Sequence, residues 1–422
     1  MSDSIDIKFT DRSNVKNKLR KLEFTDKNTF DLTIAAFELL SEMKKSKLSV
    51  ISSIQSNKSI ELYDHQIFAA MKVKNELGGS AILADEVGLG KTMEAGIILK
   101  EFLISGLAKN ILILAPPSLV YQWQDELESK FSLHFTQKDD SDYKDPASHD
   151  LLIFSHSSAV YPTAANFLKK RNWDMIIVDE AHSMKNSSTM KHKLLKELNR
   201  KFTLLLTATP IQNNLGELYN MVELLKPGTL GTFSEFKTRY ADDKQMRTLN
   251  PFFKDELQKK LSKIIIRTTR QQVKKYIKFT DRIAFTRILK PTDDERKLYD
   301  KITDKVREHY ENGFEVLYLM IIQRLISSST ESTKRALFKM KKSELLSSEE
   351  YDELMEIAAR ITIDTKTTEL KNTIEEQNDS KFLIFTEWRA TQEYLERVLN
   401  DAGYSVTLFH GELNLSQKAE SI

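Results

Sequence analysis

The run Ala81-Ile-Leu-Ala84 and the turn after it, Asp85-Glu-Val-Gly-Leu-Gly-Lys-Thr92, decide the fold. Four apolar residues suit a strand buried on both faces, and the apolar positions that follow, Met93, Ile97, Ile98 and Phe102, keep helical spacing. A glycine-bearing turn between a buried strand and a helix is the setting of a phosphate cradle. Gly88 and Gly90 let backbone N–H groups turn inward, and the helix N-terminus adds a positive dipole end. Lys91 can reach β- and γ-phosphate oxygens, and Thr92 offers a hydroxyl to Mg²⁺. Asp85 stands where the generic pattern has its first glycine, so on residues alone a plain glycine turn with a surface lysine stays open.

Similar apolar runs recur at Ile111–Ala115, Leu151–Phe154, Met175–Val178 and Leu204–Leu206, with helical periodicity between them. Together they predict a parallel sheet of βαβ units over about 60 to 225. Asp179-Glu-Ala-His182 directly follows the fourth run, so its carboxylates project at the carboxyl end of a buried strand, where α/β folds bind ligands. Asp179 can hold the magnesium shell, while Glu180 can orient and deprotonate the attacking water in γ-phosphoryl transfer. The plainer alternative is a helix cap plus a first-turn acid. A further strand end, Leu206-Thr-Ala-Thr-Pro-Ile-Gln212, carries hydroxyls: Thr207 and Thr209 are placed to hydrogen-bond the Asp179–His182 loop and transmit nucleotide state, or merely to form a Thr-Pro turn.

The 422 residues imply two or three domains. A balance of 63 basic against 61 acidic residues leaves +2, so any basic surface is local. Absence of cysteine removes disulfides and thiolate metal sites and fits a reducing compartment. The opening residues show no signal-peptide pattern and no 18-residue apolar stretch occurs, so a cytoplasmic chain with no membrane partner is expected. Eight histidines without His-Glu-x-x-His spacing give no zinc signature. Trp123, at helical spacing from Leu119 and Leu127, reads as core. Six basic residues between Lys185 and Lys201 read as a solvated helix face or a phosphate contact.

The expected organisation is a helical lead-in over 1–58, with an amphipathic run from Phe30 to Met43, then a nucleotide-binding α/β domain over 59–228. A mainly helical region over 229–375 follows, in which Thr292–Glu295 and Ser347–Glu350 fit capping boxes. A second βαβ unit is expected over 376–422, with strands at Phe382–Phe385 and Val406–Phe409.

This order of segments resembles the Swi/Snf-like DNA translocases of helicase superfamily two, especially their bacterial RapA-like branch. That family's phosphate loop is typically Asp-Glu-x-Gly-Leu-Gly-Lys-Thr, which accounts for Asp85 and brings Leu89 into the ATP-binding loop. Leu62–Gln66 looks like the adenine-reading motif, with Gln66 as its glutamine. Ile113–Trp123 is similar to the DNA-contacting motif Ia, which implicates Pro116 and Ser118. Asp179–His182 matches the DEAH form, and Leu206–Gln212 the third motif, which implies coupling roles for His182, Thr207, Thr209 and Gln212. Weaker likeness runs through Ile266–Arg270 and Asp293–Tyr299, and Lys418 stands where the family usually has arginine.

The resemblance implies a RecA-like P-loop lobe, a helical insertion and the start of a second RecA-like lobe. It implies a DNA-stimulated ATPase that uses ATP and Mg²⁺ to translocate on or remodel double-stranded DNA, gripped by its backbone, with protein partners in a larger complex. The sequence stops before the family's motifs V and VI, which supply arginine fingers worth roughly 10³ to 10⁵ in rate. The chain is therefore expected to bind nucleotide better than it turns it over. Two alternatives are an ATP-binding interaction subunit, without turnover of its own, in a bacterial defence or transcription-linked complex, and a restriction-type translocase subunit.

Overall fold

The structure, a computed structural model, describes residues 48–55, 60–137, 140, 145–209, 214–280, 283–377 and 380–413. The amphipathic run Phe30–Met43, Gln212 and Lys418 lie outside these residues. The chain divides into two compact units, residues 1–280 and 281–422.

The first unit is built on a six-stranded parallel sheet. Its strands are β1 (Ala81–Leu83), β2 (Ile111–Ala115), β3 (Leu151–Ser155), β4 (Trp173–Val178), β5 (Arg200–Leu206) and β6 (Ile265–Ile266). Their order across the sheet is β3-β2-β4-β5-β1-β6. The five runs expected from sequence are all strands, and β1, β2 and nearly all of β4 are buried along their length. They can be apolar on both faces because helices cover both sides.

On one face Phe102, Trp123, Leu127 and Phe131 pack against Ala81, Leu83, Ile113 and Ile177. On the other, Leu168, Leu195, Leu218 and Met221 pack against Ile82, Leu112, Ile176 and Leu205. The covering helices include α1 (Val50–Gln55), α2 (Asp64–Asn75), α3 (Lys91–Ile104), α4 (Val120–Phe131), α5 (Pro162–Lys170), α6 (Met190–Glu197) and α7 (Leu215–Leu225). This is the α/β class, built on a parallel sheet, that the sequence implied.

The boundary expected at 228 falls inside this unit. After α8 (Phe233–Tyr240) and α9 (Lys254–Leu261) the chain returns to the sheet, and β6 pairs with β1 through Ile82↔Ile265 and Leu83↔Ile266. The strand has only two residues, too few to show a period in the sequence. A short helix, α10 (Arg270–Val273), follows it.

The basic run does not form one face. Arg200 points inward, donating to the carbonyls of Leu195, Leu198 and Leu224 at 2.5, 2.9 and 2.5 Å and to Thr203 Oγ1 at 2.9 Å. Lys185 pairs with Glu217 at 3.0 Å and Lys201 with Asp174 at 2.6 Å.

The second unit is helical: α11 (Asp293–Glu311), α12 (Val316–Ile326), α13 (Thr330–Lys342), α14 (Ser348–Arg360), α15 (Thr365–Glu376) and α16 (Arg389–Asp401). Thr292 and Ser347 cap α11 and α14 in the expected boxes, each hydroxyl accepting from the N–H three residues on. Leu298, Ile322, Leu337, Met340, Leu354 and Ile357 form its core.

The strands expected at Phe382–Phe385 and Val406–Phe409 do not form. Leu383 and Phe385 are 79% and 86% exposed, and no strand occurs among the described residues of this unit. An apolar run becomes a buried strand only when neighbouring strands satisfy its backbone and cover its faces, and here none is alongside. No described helix is long and apolar enough to cross a membrane.

Candidate nucleotide site at the carboxyl edge of the sheet

All strands of the sheet run in parallel, so the loops after β1, β4 and β5 open at one edge. β5 lies between β1 and β4. The register Leu83↔Leu206 and Val178↔Leu205 puts the ends of these strands level, two strand spacings, or about 10 Å, across. The glycine loop and the acidic pair, 87 or more residues apart in sequence, therefore share one rim, with Thr207 between them.

The loop turns at Gly88 and Gly90, whose φ values of 85° and 87° are left-handed, and α3 begins at Lys91. Lys91 Nζ folds back to donate to the Asp85 carbonyl at 2.9 Å. Gln66 is buried on α2, where its Oε1 accepts from the Tyr63 N–H at 3.2 Å and its Nε2 donates to the Leu89 carbonyl at 3.1 Å. His65 meets the same carbonyl at 2.9 Å and the Tyr276 hydroxyl at 3.3 Å.

Asp85 explains its departure from glycine. Its buried Oδ1 accepts from the Thr268 N–H at 2.7 Å, and Glu86 N donates to Thr268 O at 3.0 Å. Arg270 continues the lacing: its N–H donates to Glu86 Oε2 at 2.9 Å and its guanidinium to Val87 O at 2.9 Å. The segment after β6 thus straps the first half of the glycine loop. In the sequence Ile266–Arg270 carries only a weak family likeness; its place beside the loop depends on a long-range strand pairing.

His65, Asp85 and Glu94 bring ring and carboxylate atoms within 4.8 Å of one another. Burial, and then the charge of Asp85, push the Glu94 carboxyl well above the usual carboxylate range. Glu94 and Asp85 are thus buried together under the loop, and both ring nitrogens of His65 are already engaged.

At the other strand end, Asp179 is 9% exposed. Its Oδ1 accepts from the Glu180 N–H and its Oδ2 from the Trp123 indole N–H, both at 2.8 Å. Glu180 takes φ 44° and ψ 50°, a left-handed conformation that breaks the strand line directly after Asp179. Its Oε2 lies 3.1 Å from His182 Nδ1. Adjacent, His156 Nε2 donates to Leu114 O and its Nδ1 meets Ser183 Oγ, both at 3.2 Å. Burial, and next the Lys191 charge, bring its pKa down to about 4, so the ring is neutral at physiological pH.

Thr207 is fully buried and its Oγ1 accepts from the Thr209 N–H at 3.2 Å. That hydroxyl helps close its own turn. Thr207 N donates to Leu83 O at 3.0 Å, which links the β5 end to the root of the glycine loop. Pro116 and Ser118 stand in the turn after β2, with Ser118 exposed at the same edge. Thr92, half-buried in the first turn of α3, presents its hydroxyl beside Lys91.

This arrangement offers a cationic amine, a helix N-terminus, a hydroxyl and two carboxylates around one rim. Such a donor set fits a polyphosphate and a hard divalent cation.

The chain is 36% identical over 359 residues to a Bacillus subtilis (strain 168) protein named uncharacterized ATP-dependent helicase YqhH, a match that spans 84% of this chain and 63% of that protein. It is 32% identical over 221 residues to the RNA polymerase-associated protein RapA of Proteus mirabilis (strain HI4320), across 49% of this chain and 22% of RapA. The chain thus spans less than two thirds of the length of these relatives. The solved SWI2/SNF2 ATPase core of Sulfolobus solfataricus in complex with dsDNA aligns at 23% identity and a TM-score of 0.47, over 86% of this chain and 74% of that one. Residues 44–361, most of the chain, match the SNF2-related domain, and the protein belongs to that family.

Proposed function

We propose that the protein is an ATP-dependent double-stranded-DNA translocase or remodeller of the helicase-like kind. The observation that carries this reading is the shared rim: the glycine loop after β1 and the Asp179–Glu180 pair after β4 face one space across β5. Lys91 and the α3 N-terminus hold the β- and γ-phosphates, Gln66 reads the base, and Thr92 and Asp179 hold the Mg²⁺ shell. The cation neutralises phosphate charge and orients the reacting group when bound. Glu180 orients the attacking water and takes its proton.

Duplex DNA lies against the edge that carries Pro116 and Ser118, gripped by its phosphates. The likeness to YqhH, named as a helicase, and to RapA, named as RNA polymerase-associated, supports ATP use and a protein partner in a transcription-linked assembly. Backbone gripping makes affinity weakly dependent on sequence and steeply dependent on salt.

The test is ATP hydrolysis by the chain with and without random-sequence duplex DNA, alone and with a second RecA-like lobe supplied in trans. Stimulation by duplex, lost as salt is raised several-fold, is expected. Duplex affinity insensitive to salt contradicts the DNA part of the reading, and ATP binding unaffected by Lys91→Ala contradicts the nucleotide part.

A further inference from the structure

We propose that Trp123 is a positioning residue for the carboxylate of Asp179, and through it for the magnesium ion. This rests on the MgATP reading above. Trp123 lies on α4, is 2% exposed, and belongs to the apolar cluster that includes Leu127, Phe131, Ile113 and Ile177. Its spacing marks it as core, and core it is, yet its indole carries one donor and no acceptor. That donor points out of the apolar cluster onto Asp179 Oδ2 at 2.8 Å.

The other oxygen of Asp179 accepts from the Glu180 N–H, so both oxygens are pinned, one by backbone and one by a side chain that cannot swing without repacking the core. The carboxylate plane is thereby fixed, and the lone pairs left free on the two oxygens keep a set direction. Outer donors of this kind orient a ligating carboxylate, and their loss typically weakens metal binding roughly 10- to 100-fold.

A purely structural tryptophan behaves differently. Losing it lowers stability but leaves the magnesium dependence of nucleotide binding in place. The N–H and the ring volume are therefore separated in the experiment.

Binding of a fluorescent ATP analogue to the full chain is titrated with Mg²⁺, and in excess EDTA, for five proteins: wild type, Trp123→Phe, Asp179→Asn, the chain with benzothienylalanine incorporated at position 123, and Asp179→Asn with that same replacement. The sulfur analogue keeps the bicyclic ring and removes only the N–H, so it decides the question even if Trp123→Phe does not fold. The half-saturating Mg²⁺ concentration is expected to rise about tenfold or more in both position-123 proteins, with affinity in EDTA unchanged. In an Asp179→Asn background the same replacement is expected to add nothing. Half-saturation within twofold of wild type for the benzothienylalanine protein overturns the assignment and leaves the MgATP reading standing. A wild type whose nucleotide binding ignores Mg²⁺ overturns both.

Discussion

The side-chain amide of Gln66 stands so close to Gly90 that a Cβ added at position 90 would lie 2.5 Å from Gln66 Nε2. Gly90 also holds φ 87°, so the glycine is required twice, once by the backbone and once by its neighbour. Gly90→Ala is expected to cost about 1–3 kcal/mol in strain and to push Gln66 off the Leu89 carbonyl. Thermal unfolding should fall by several degrees and ATP affinity should drop. Adding Gln66→Ala should restore only the steric share; a Gly90→Ala protein that melts and binds like wild type contradicts the packing described.

Arg200 is a structural residue in spite of its place in a basic run. Its guanidinium serves three carbonyls, of Leu195, Leu198 and Leu224, that would otherwise lose their donor. Arg200→Met is expected to destabilise the first unit by about 2–4 kcal/mol, and Arg200→Lys by nearly as much, because an ammonium cannot span the same fork. Chemical denaturation with intact duplex binding in the surviving folded fraction checks this. Loss of duplex affinity with unchanged stability would return Arg200 to the phosphate-contact reading.

His156 gives the first unit an acid-sensitive joint. Its folded-state pKa of about 4 lies below the ordinary 6.5, chiefly through burial. Between those values the unfolded chain binds a proton that the folded one does not, so stability is fully present above about pH 6.5 and is lost as pH falls toward 4. The contribution at neutral pH is about 3 kcal/mol. Glu94, with its raised carboxyl pKa, acts in the opposite sense and is common to both proteins compared. The drop in melting temperature from pH 7 to pH 4.5 should be smaller for His156→Gln than for wild type; parallel curves would contradict it.

Glu180→Gln keeps the hydrogen-bonding shape of the side chain and removes its basicity. It is expected to bind ATP as wild type does and to lose about 10²- to 10⁴-fold in turnover under conditions where wild type hydrolyses ATP. A variant that turns over at the wild-type rate would leave the base to another group.

The first unit was legible because its strands are apolar on both faces and each ends in a distinctive loop. Ala81–Leu83 and Ile111–Ala115 needed no context. β6 was not legible, since two isoleucines show no period and the pairing partner lies some 180 residues upstream, at Ile82 and Leu83. With it went the strap from Thr268 to Arg270 and the position of the unit boundary.

At Phe382–Phe385 the apolar pattern was present but no strand neighbours it among the described residues, and local pattern cannot supply tertiary partners. Trp123 shows the limit of classing residues as core or site: its ring answers to the core and its N–H to Asp179. The position of the acidic pair was legible, because residues directly after a buried strand fall at its carboxyl end.

Nucleotide affinity in the presence of Mg²⁺, compared between wild type and Lys91→Ala, bears most directly on the site. Among the described residues Lys91 Nζ donates to the Asp85 carbonyl, so the substitution is expected to remove a phosphate contact and that one bond. Binding by wild type with loss of at least two orders of magnitude in the variant is expected. Equal binding by the two proteins would mean that no triphosphate rests on the loop at 85–92.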